Sequence, residues 1–138
     1  MAGVRFVDAN VFVRALTGDD PAEAVACGAI FEAAERGEID LFTSESVLAE
    51  VVFVLSSKSL YGVPRGRLVE LLQPLVEARG MRMDRKALIL AALDLYAASK
   101  LDFEDALSVE HVRRRKFESI LSYDRDFTEK FGIVREEP

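Results

Sequence analysis

The feature that most constrains this chain is an apolar run near the start of the sequence that stops at an acidic residue. The run from Val4 to Val7 is followed by Asp8, and a second apolar run begins at Val11. A short apolar run, a polar break and then a helical pattern indicate a β-strand that leads into a helix. Asp8 would then lie at the carboxyl end of the first strand, where ligands bind in open α/β sheets. Asp and Asn are also preferred helix N-caps, so Asp8 or Asn10 taken alone could simply begin the helix.

Strand and helix patterns alternate along the rest of the sequence. Further strands are predicted at 40–43, 81–83, 119–122 and 133–134, and helices at 10–17, 21–36, 45–58, 65–78, 85–99, 103–116 and 124–131. This alternation predicts an α/β fold with a mainly parallel sheet. A length of 138 residues favours one domain, 1–138.

Charge, cysteine content and hydropathy restrict the functional classes. The net charge of −6 argues against loose, non-specific binding to nucleic acid, because basic charge supplies that affinity. It does not exclude an enzyme that acts on nucleic acid. The single cysteine, Cys27, allows no internal disulfide. No apolar run approaches the ~20 residues of a membrane helix, and no signal peptide is recognisable, so we expect a cytoplasmic location and no membrane partner.

Two acidic residues fall on helix faces where a solvated surface would not place them. Glu50 lies three residues after Val47 and four before Val54, which predicts that it projects from the apolar face of its helix. A lone buried carboxylate is costly unless it is paired or bound to a metal. Glu50 could instead lie at the border of the face and reach water. Asp105 follows Asp102 at the spacing of a capping box, yet it shares a face with apolar residues four and seven positions on.

Asp124 repeats the arrangement seen at Asp8. The predicted strand at 119–122 ends just before it, a short helix follows, and Asp126 lies two residues further on. Either of these two aspartates could be a helix cap. Two strand ends that each deliver an Asp would nevertheless bring both carboxylates to the edge where α/β sites form.

Four carboxylates that face one crevice repel one another, so such a cluster either takes up protons or binds a cation. Without a Cys or His cluster the ligands are hard oxygens, which suit Mg²⁺ or Mn²⁺ rather than zinc. Mg²⁺ also recruits substrate phosphate oxygens. The residues therefore indicate a metal-dependent phosphoryl-transfer or phosphodiester-cleaving site. An aspartyl-phosphate phosphatase with Asp8 as nucleophile is an alternative, but that chemistry usually needs a second Asp where this chain has Asn10.

Taken in order, four segments resemble the PIN-domain family, and more closely a VapC-type toxin ribonuclease of a toxin–antitoxin pair. These segments are Val7–Val11, Glu50 with the apolar residues after it, Asp102–Leu107 and Ser122–Phe127. The resemblance implies a three-layer α/β/α domain with a short central, mainly parallel sheet. It also implies an endoribonuclease that uses Mg²⁺, or Mn²⁺, and hydrolyses RNA with a metal-activated water.

The resemblance assigns roles by position. The catalytic acids would be Asp8, Glu50, Asp105 and Asp124, of which Asp8, Asp105 and Asp124 would bind the metal. Supporting roles fall to Asn10, Ser122, Asp126 and Asp102, and RNA contacts to Arg14, Lys58 and Arg65. The implied partners are RNA, a small antitoxin protein and a second copy of the chain in a homodimer, with helices 47–55 and 68–76 as candidate surfaces. A PIN-like nuclease outside such a pair, or a catalytically silent PIN-like binding module, are alternatives.

Overall fold

The computed structural model describes residues 2–138, which form helices and short strands in the predicted alternating order. The elements are β1 Val4–Phe6, α1 Ala9–Leu16, α2 Pro21–Glu35, β2 Asp40–Phe42, α3 Glu45–Ser56, α4 Arg65–Glu77, β3 Met81–Arg82, α5 Lys86–Ala98, α6 Phe103–Arg115, β4 Ile120–Leu121, α7 Asp126–Glu129 and β5 Arg135–Glu136. Two compact units divide the chain: the first ends at Lys86 and the second is Ala87–Pro138. The prediction of one domain over 1–138 stays a prediction.

A parallel sheet organises the first unit. Its strands lie in the order β1-β2-β3, with Phe6 paired to Phe42 and Phe42 paired to Arg82. Helix α1 packs against α2, α3 and α4, and α4 contacts β3. Helices follow β1 and β2, because a connection between parallel strands must carry the chain back to the end of the sheet where the next strand begins. The predicted α/β class with a short parallel sheet flanked by helices is confirmed.

Short polar signals set where helices of the first unit begin. The Asp20 carboxylate accepts a hydrogen bond from the backbone N–H of Glu23 at 3.0 Å, and Pro21 occupies the first helical position of α2. Ser44 caps α3 by accepting from the N–H of Val47 at 3.2 Å. Both residue types are favoured N-caps. The helix predicted from residue 85 begins one residue later, because Arg85 has a positive φ of 55°.

The second unit holds α5, α6, α7 and a separate pair of parallel strands. β4 pairs with β5, Ile120 opposite Arg135. The prediction of the last strand at 133–134 is wrong by two residues, because the backbone of Ile133 is already used: its N–H donates to the Phe127 carbonyl at 3.0 Å, and its carbonyl accepts from Thr128 Oγ1 at 2.7 Å. Among the described residues, no helix combines the length and apolarity needed to cross a membrane.

Candidate functional site

Asp8 lies between β1 and α1, as the sequence predicted. Its carboxylate accepts a hydrogen bond from the N–H of Ala9 at 2.8 Å, so Asp8 is the N-cap of α1 and remains exposed to solvent. Asn10 lies inside α1 and is also exposed, so it does not cap the helix. Capping occupies one carboxylate oxygen of Asp8 and leaves the other for a further ligand, since an ionised carboxylate accepts several bonds.

Glu50 lies on α3 but not on its buried face. The buried residues of this helix are Val47, Leu48, Val51, Val52 and Leu55, and Glu50 is exposed. The prediction that Glu50 projects from the buried apolar face is wrong, and the alternative that it reaches water is correct. Burial of Leu48 and Val52 moves the centre of the buried face away from Glu50. Its predicted catalytic role does not depend on burial and stays a prediction.

Asp105 lies in the first turn of α6 and is half-buried. Its pKa is raised above the ordinary value of 3.8, first by burial and then by the charges of Asp102, Asp124 and Glu104. The fold of the second unit therefore brings the start of α6 and the loop after β4 close together. Asp102 occupies the N-cap position of α6, but its side chain makes no capping hydrogen bond. A carboxyl whose ionised form is disfavoured in this way is typical of functional sites.

Hydrogen bonds fix the loop that carries Asp124. The N–H of Asp124 donates to Ser122 Oγ at 3.0 Å, and the N–H of Asp126 donates to Asp124 Oδ1 at 3.0 Å. Arg135 Nη1 donates to the Ser122 carbonyl at 3.0 Å, which ties the loop to β5. The Asp126 carboxylate forms an ion pair with Lys130 at 3.1 Å. α7 begins at Asp126 rather than at Asp124, because Asp124 and Ser122 form the turn that precedes it.

The predicted acids divide between the two units. Asp8 and Glu50 belong to the first, and Asp105 and Asp124 to the second. Within residues 2–138, no three His, Cys, Asp or Glu side chains group closely enough to hold a metal ion. Convergence of all four acids stays a prediction. The charge of Asp124 acts on Asp105, and carboxylate oxygens are the donor type that holds Mg²⁺, an ion that usually takes one or two carboxylates and keeps several waters.

Thr43, the residue after β2, is a buried polar residue next to the start of the candidate site that the sequence analysis did not single out. It is 0 % exposed and is the one buried polar residue among those the structure describes. Its hydroxyl donates to the carbonyl of Val7, the residue before Asp8, at 3.0 Å. Thr43 is the last residue of the strand predicted at 40–43, and a polar residue at the end of a strand is the signal that could have drawn attention to it.

The three residues predicted to contact RNA all lie in the first unit. Arg14 Nε forms a partly exposed ion pair with Glu23 at 2.6 Å, which raises the pKa of Arg14 and keeps it charged. Lys58 is exposed beyond the end of α3, and Arg65 is the half-buried first residue of α4. Their contact with RNA stays a prediction.

The sequence matches the family model of the PIN domain over residues 5–131. The chain therefore belongs to the PIN-domain family, and the predicted family resemblance is confirmed at this level. PIN domains are generally nucleases, a class of hydrolase, and typically use divalent metal ions. The match includes all four predicted catalytic acids. No curated protein matches the sequence.

Proposed function

We propose that this protein is a Mg²⁺-dependent endoribonuclease, with Mn²⁺ as an alternative ion, and that it is the toxin of a type II toxin–antitoxin pair. The observation that carries the proposal is the half-buried position of Asp105 in a negative environment, where burial and the charges of Asp102 and Asp124 raise its pKa. A divalent cation would relieve this repulsion, because an opposite charge favours the ionised carboxylate. The family of the chain supports the same chemistry.

The residues have separable roles in this proposal. Asp105 and Asp124 would hold the ion together with Asp8, and Glu50 would contribute directly or through water. When bound, a divalent ion supplies a nucleophile at neutral pH and neutralises charge on the phosphate. Ser122 holds the backbone of Asp124 in place through its hydroxyl.

Further polar residues support the acids. Asn10 lies two residues beyond Asp8, in the first turn of α1, and would orient substrate or water beside it. Asp102 adds negative charge beside Asp105, which strengthens the attraction for a cation. Asp126 acts from the outer sphere, since its carboxylate is paired with Lys130. Hydrolysis of the phosphodiester would leave 5′-phosphate and 3′-hydroxyl ends.

RNA binding in this proposal relies on local basic residues, because the chain as a whole is acidic. Arg14, Lys58 and Arg65 would contact the phosphates. Sequence-specific recognition of RNA mostly targets single-stranded loops, which leaves these contacts to hold the backbone. To contact a phosphate, Arg14 would release Glu23. This costs little free energy, because a surface ion pair contributes little to stability.

The proposed partners are a small antitoxin protein and a second copy of the chain, in the cytoplasm. An antitoxin that places a basic residue among the acids would pair with them and displace the metal. Half of the residues in the two helix stretches suggested as partner surfaces are buried. Among them, Leu48, Val51, Leu68 and Leu72 are fully buried. Phe53, 67 % exposed on α3, is the apolar side chain of these stretches that is accessible to a partner.

The decisive experiment incubates the purified protein with total RNA, with and without Mg²⁺, and sequences the new ends. We expect a restricted set of cuts with 5′-phosphate ends that disappear when EDTA is added and in the variant Asp105→Asn. A protein that binds Mn²⁺ but leaves RNA intact would instead be a nuclease for another substrate. A protein that does neither would be a catalytically silent binding module.

A further inference from the structure

We infer that Thr43 is a positioning residue for the nuclease site, and that it acts by fixing the peptide unit that leads into Asp8. The inference rests on the proposed function, in which Asp8 binds the metal. Thr43 directly follows β2, which pairs with β1, the strand that leads to Asp8, and its side chain is fully buried. It therefore cannot meet RNA or metal itself in this structure, and any effect on the site must pass through its contacts.

The side chain of Thr43 makes its hydrogen bond just beyond the last paired residues of β1 and β2. The pairing of β1 with β2 stops at Phe6 and Phe42, and one further backbone bond runs from the N–H of Val7 to the carbonyl of Phe42 at 2.8 Å. The chain then turns into α3 at Ser44. The regular backbone pairing with β2 therefore does not extend to the carbonyl of Val7. Thr43 Oγ1 donates to that carbonyl at 3.0 Å in its place.

The Val7 carbonyl belongs to the peptide unit that joins Val7 to Asp8. Because a peptide unit is planar, holding the oxygen of Val7 also holds the N–H of Asp8 and the direction in which the chain leaves the strand. Asp8 then takes an extended conformation, φ −86° and ψ 167°, and its carboxylate bonds to the N–H of Ala9. The orientation of the carboxylate thus depends on a peptide plane that Thr43 fixes.

The hydroxyl is itself held firmly. The N–H of Thr43 donates to the Arg82 carbonyl at 3.0 Å, so its backbone is bonded to β3 while its side chain is bonded to the residue after β1. Thr43 therefore connects three strands at the edge of the sheet. A Val at this position would keep the shape of the side chain but would leave the carbonyl of Val7 without its donor.

The test compares Thr43→Val with Thr43→Ser, which keeps the hydroxyl. The readouts are the dissociation constant for Mn²⁺, measured without RNA by electron paramagnetic resonance, and the Mg²⁺ concentration that half-saturates RNA cleavage. All measurements are made well below the melting temperature of each variant. We expect Thr43→Val to weaken Mn²⁺ binding and raise the half-saturating Mg²⁺ concentration by roughly tenfold or more, as for other residues that support metal ligands. Thr43→Ser should keep a Mn²⁺ affinity and a half-saturating Mg²⁺ concentration close to those of wild type.

Ser99→Ala is the matched control. It removes another side-chain hydroxyl that donates to a backbone carbonyl, that of Leu95 at 2.7 Å, in the second unit. We expect this variant to lose stability without a change in Mn²⁺ affinity. If Thr43→Val does not fold, Thr43→Cys replaces it, since a thiol is a weak donor of similar size; its Mn²⁺ affinity should fall below that of Thr43→Ser.

The inference is overturned if Thr43→Val, or Thr43→Cys in its place, binds Mn²⁺ as tightly as wild type and cleaves RNA at the same half-saturating Mg²⁺ concentration. Thr43 would then contribute to stability alone. A failure of the proposed function is recognised differently, since wild type itself would neither bind Mn²⁺ nor cleave RNA. A wild type that binds Mn²⁺ without cleaving RNA still tests Thr43 through the binding measurement.

Discussion

Within the second unit, the negative charge of Asp124, in the loop after β4, acts on Asp105 in the first turn of α6. Burial is the largest cause of the raised pKa of Asp105, and the charges of Asp102 and then Asp124 add to it. At neutral pH the ionised Asp105 therefore destabilises the folded protein, because folding moves it from water into a negative field. Functional sites often carry such a stability cost.

The first prediction concerns the variant Asp105→Asn. In the folded state the pKa of Asp105 is raised, so between 3.8 and that higher value the folded protein binds more protons than the unfolded chain. Stability therefore falls as pH rises through this window, and the cost persists at neutral pH. We expect Asp105→Asn to raise the melting temperature near neutral pH, to lose that advantage at acid pH, and to abolish cleavage.

Thermal unfolding measured from about pH 3 to pH 7 checks this pH dependence. Asp94→Asn is the control, because Asp94 is an exposed carboxylate on the neighbouring helix α5. Asp94→Asn should not reproduce the gain in melting temperature near neutral pH. A melting temperature for Asp105→Asn that lies below wild type at neutral pH would contradict the prediction.

The second prediction separates the two roles of Asp8. Asp8→Asn keeps an oxygen that can accept from the N–H of Ala9, so we expect a melting temperature close to wild type with cleavage abolished. Asp8→Ala removes the cap as well and should cost a further 0.5–2 kcal/mol, roughly the range for lost N-caps. Urea unfolding measures the stability, and an RNA digest measures the activity.

Asp20→Asn and Asp20→Ala provide the matched pair, because Asp20 caps α2 through the N–H of Glu23. The same stability difference is expected there, with cleavage retained in both variants. Full activity in Asp8→Asn would remove Asp8 from the metal site and leave it as a helix cap.

The third prediction concerns Ser122, whose hydroxyl accepts from the N–H of Asp124. The loop is exposed, so water can replace this bond and the melting temperature of Ser122→Ala should change little. Asp124 loses its fixed position, and cleavage should fall by about tenfold. Ser122→Thr keeps the hydroxyl and should restore most of the activity. Ser108→Ala, which removes a hydroxyl bonded to the Glu104 carbonyl at 3.1 Å, should cleave RNA as wild type does.

Local signals were readable from the sequence, and contacts between distant segments were not. Asp20 and Ser44 each cap a helix by accepting a hydrogen bond from the residue three positions later. Because these contacts are local, the type of the capping residue is enough to predict them. The position of Asp8 at the end of β1 follows from the apolar run before it. By contrast, the bond from Thr43 to Val7 joins residues separated by 36 positions, and no local pattern indicates it.

Helix periodicity also left the exact face open at Glu50. Apolar residues at 47, 51 and 54 indicate one face, and apolar residues at 48, 52 and 55 indicate a neighbouring one. The fold buries the second set more completely, and Glu50 lies beyond its border. The match to the PIN-domain family spans all four acids, but their mutual geometry depends on packing that no single segment encodes.

The last prediction tests the junction that holds β3 in the sheet. Gly80 donates to the Ala34 carbonyl at 2.8 Å and accepts from Leu41 at 2.8 Å, and a Cβ there would lie 2.2 Å from the oxygen of Ile39. Because backbone must shift to make room, Gly80→Ala should lose about 1–3 kcal/mol of unfolding free energy. Gly28→Ala, in the interior of α2 with open space around the added Cβ, should gain about 0.5–1 kcal/mol.

Urea unfolding with an unchanged m-value distinguishes a stability effect from a change in the unfolded state. Because Gly80 precedes β3, and the Arg82 carbonyl on β3 accepts from Thr43, the Gly80→Ala shift should also reach the peptide before Asp8. We therefore expect the half-saturating Mg²⁺ concentration to rise in Gly80→Ala and to stay unchanged in Gly28→Ala. Equal metal dependence in the two variants would show that strain at β3 does not extend through Thr43 to the first strand.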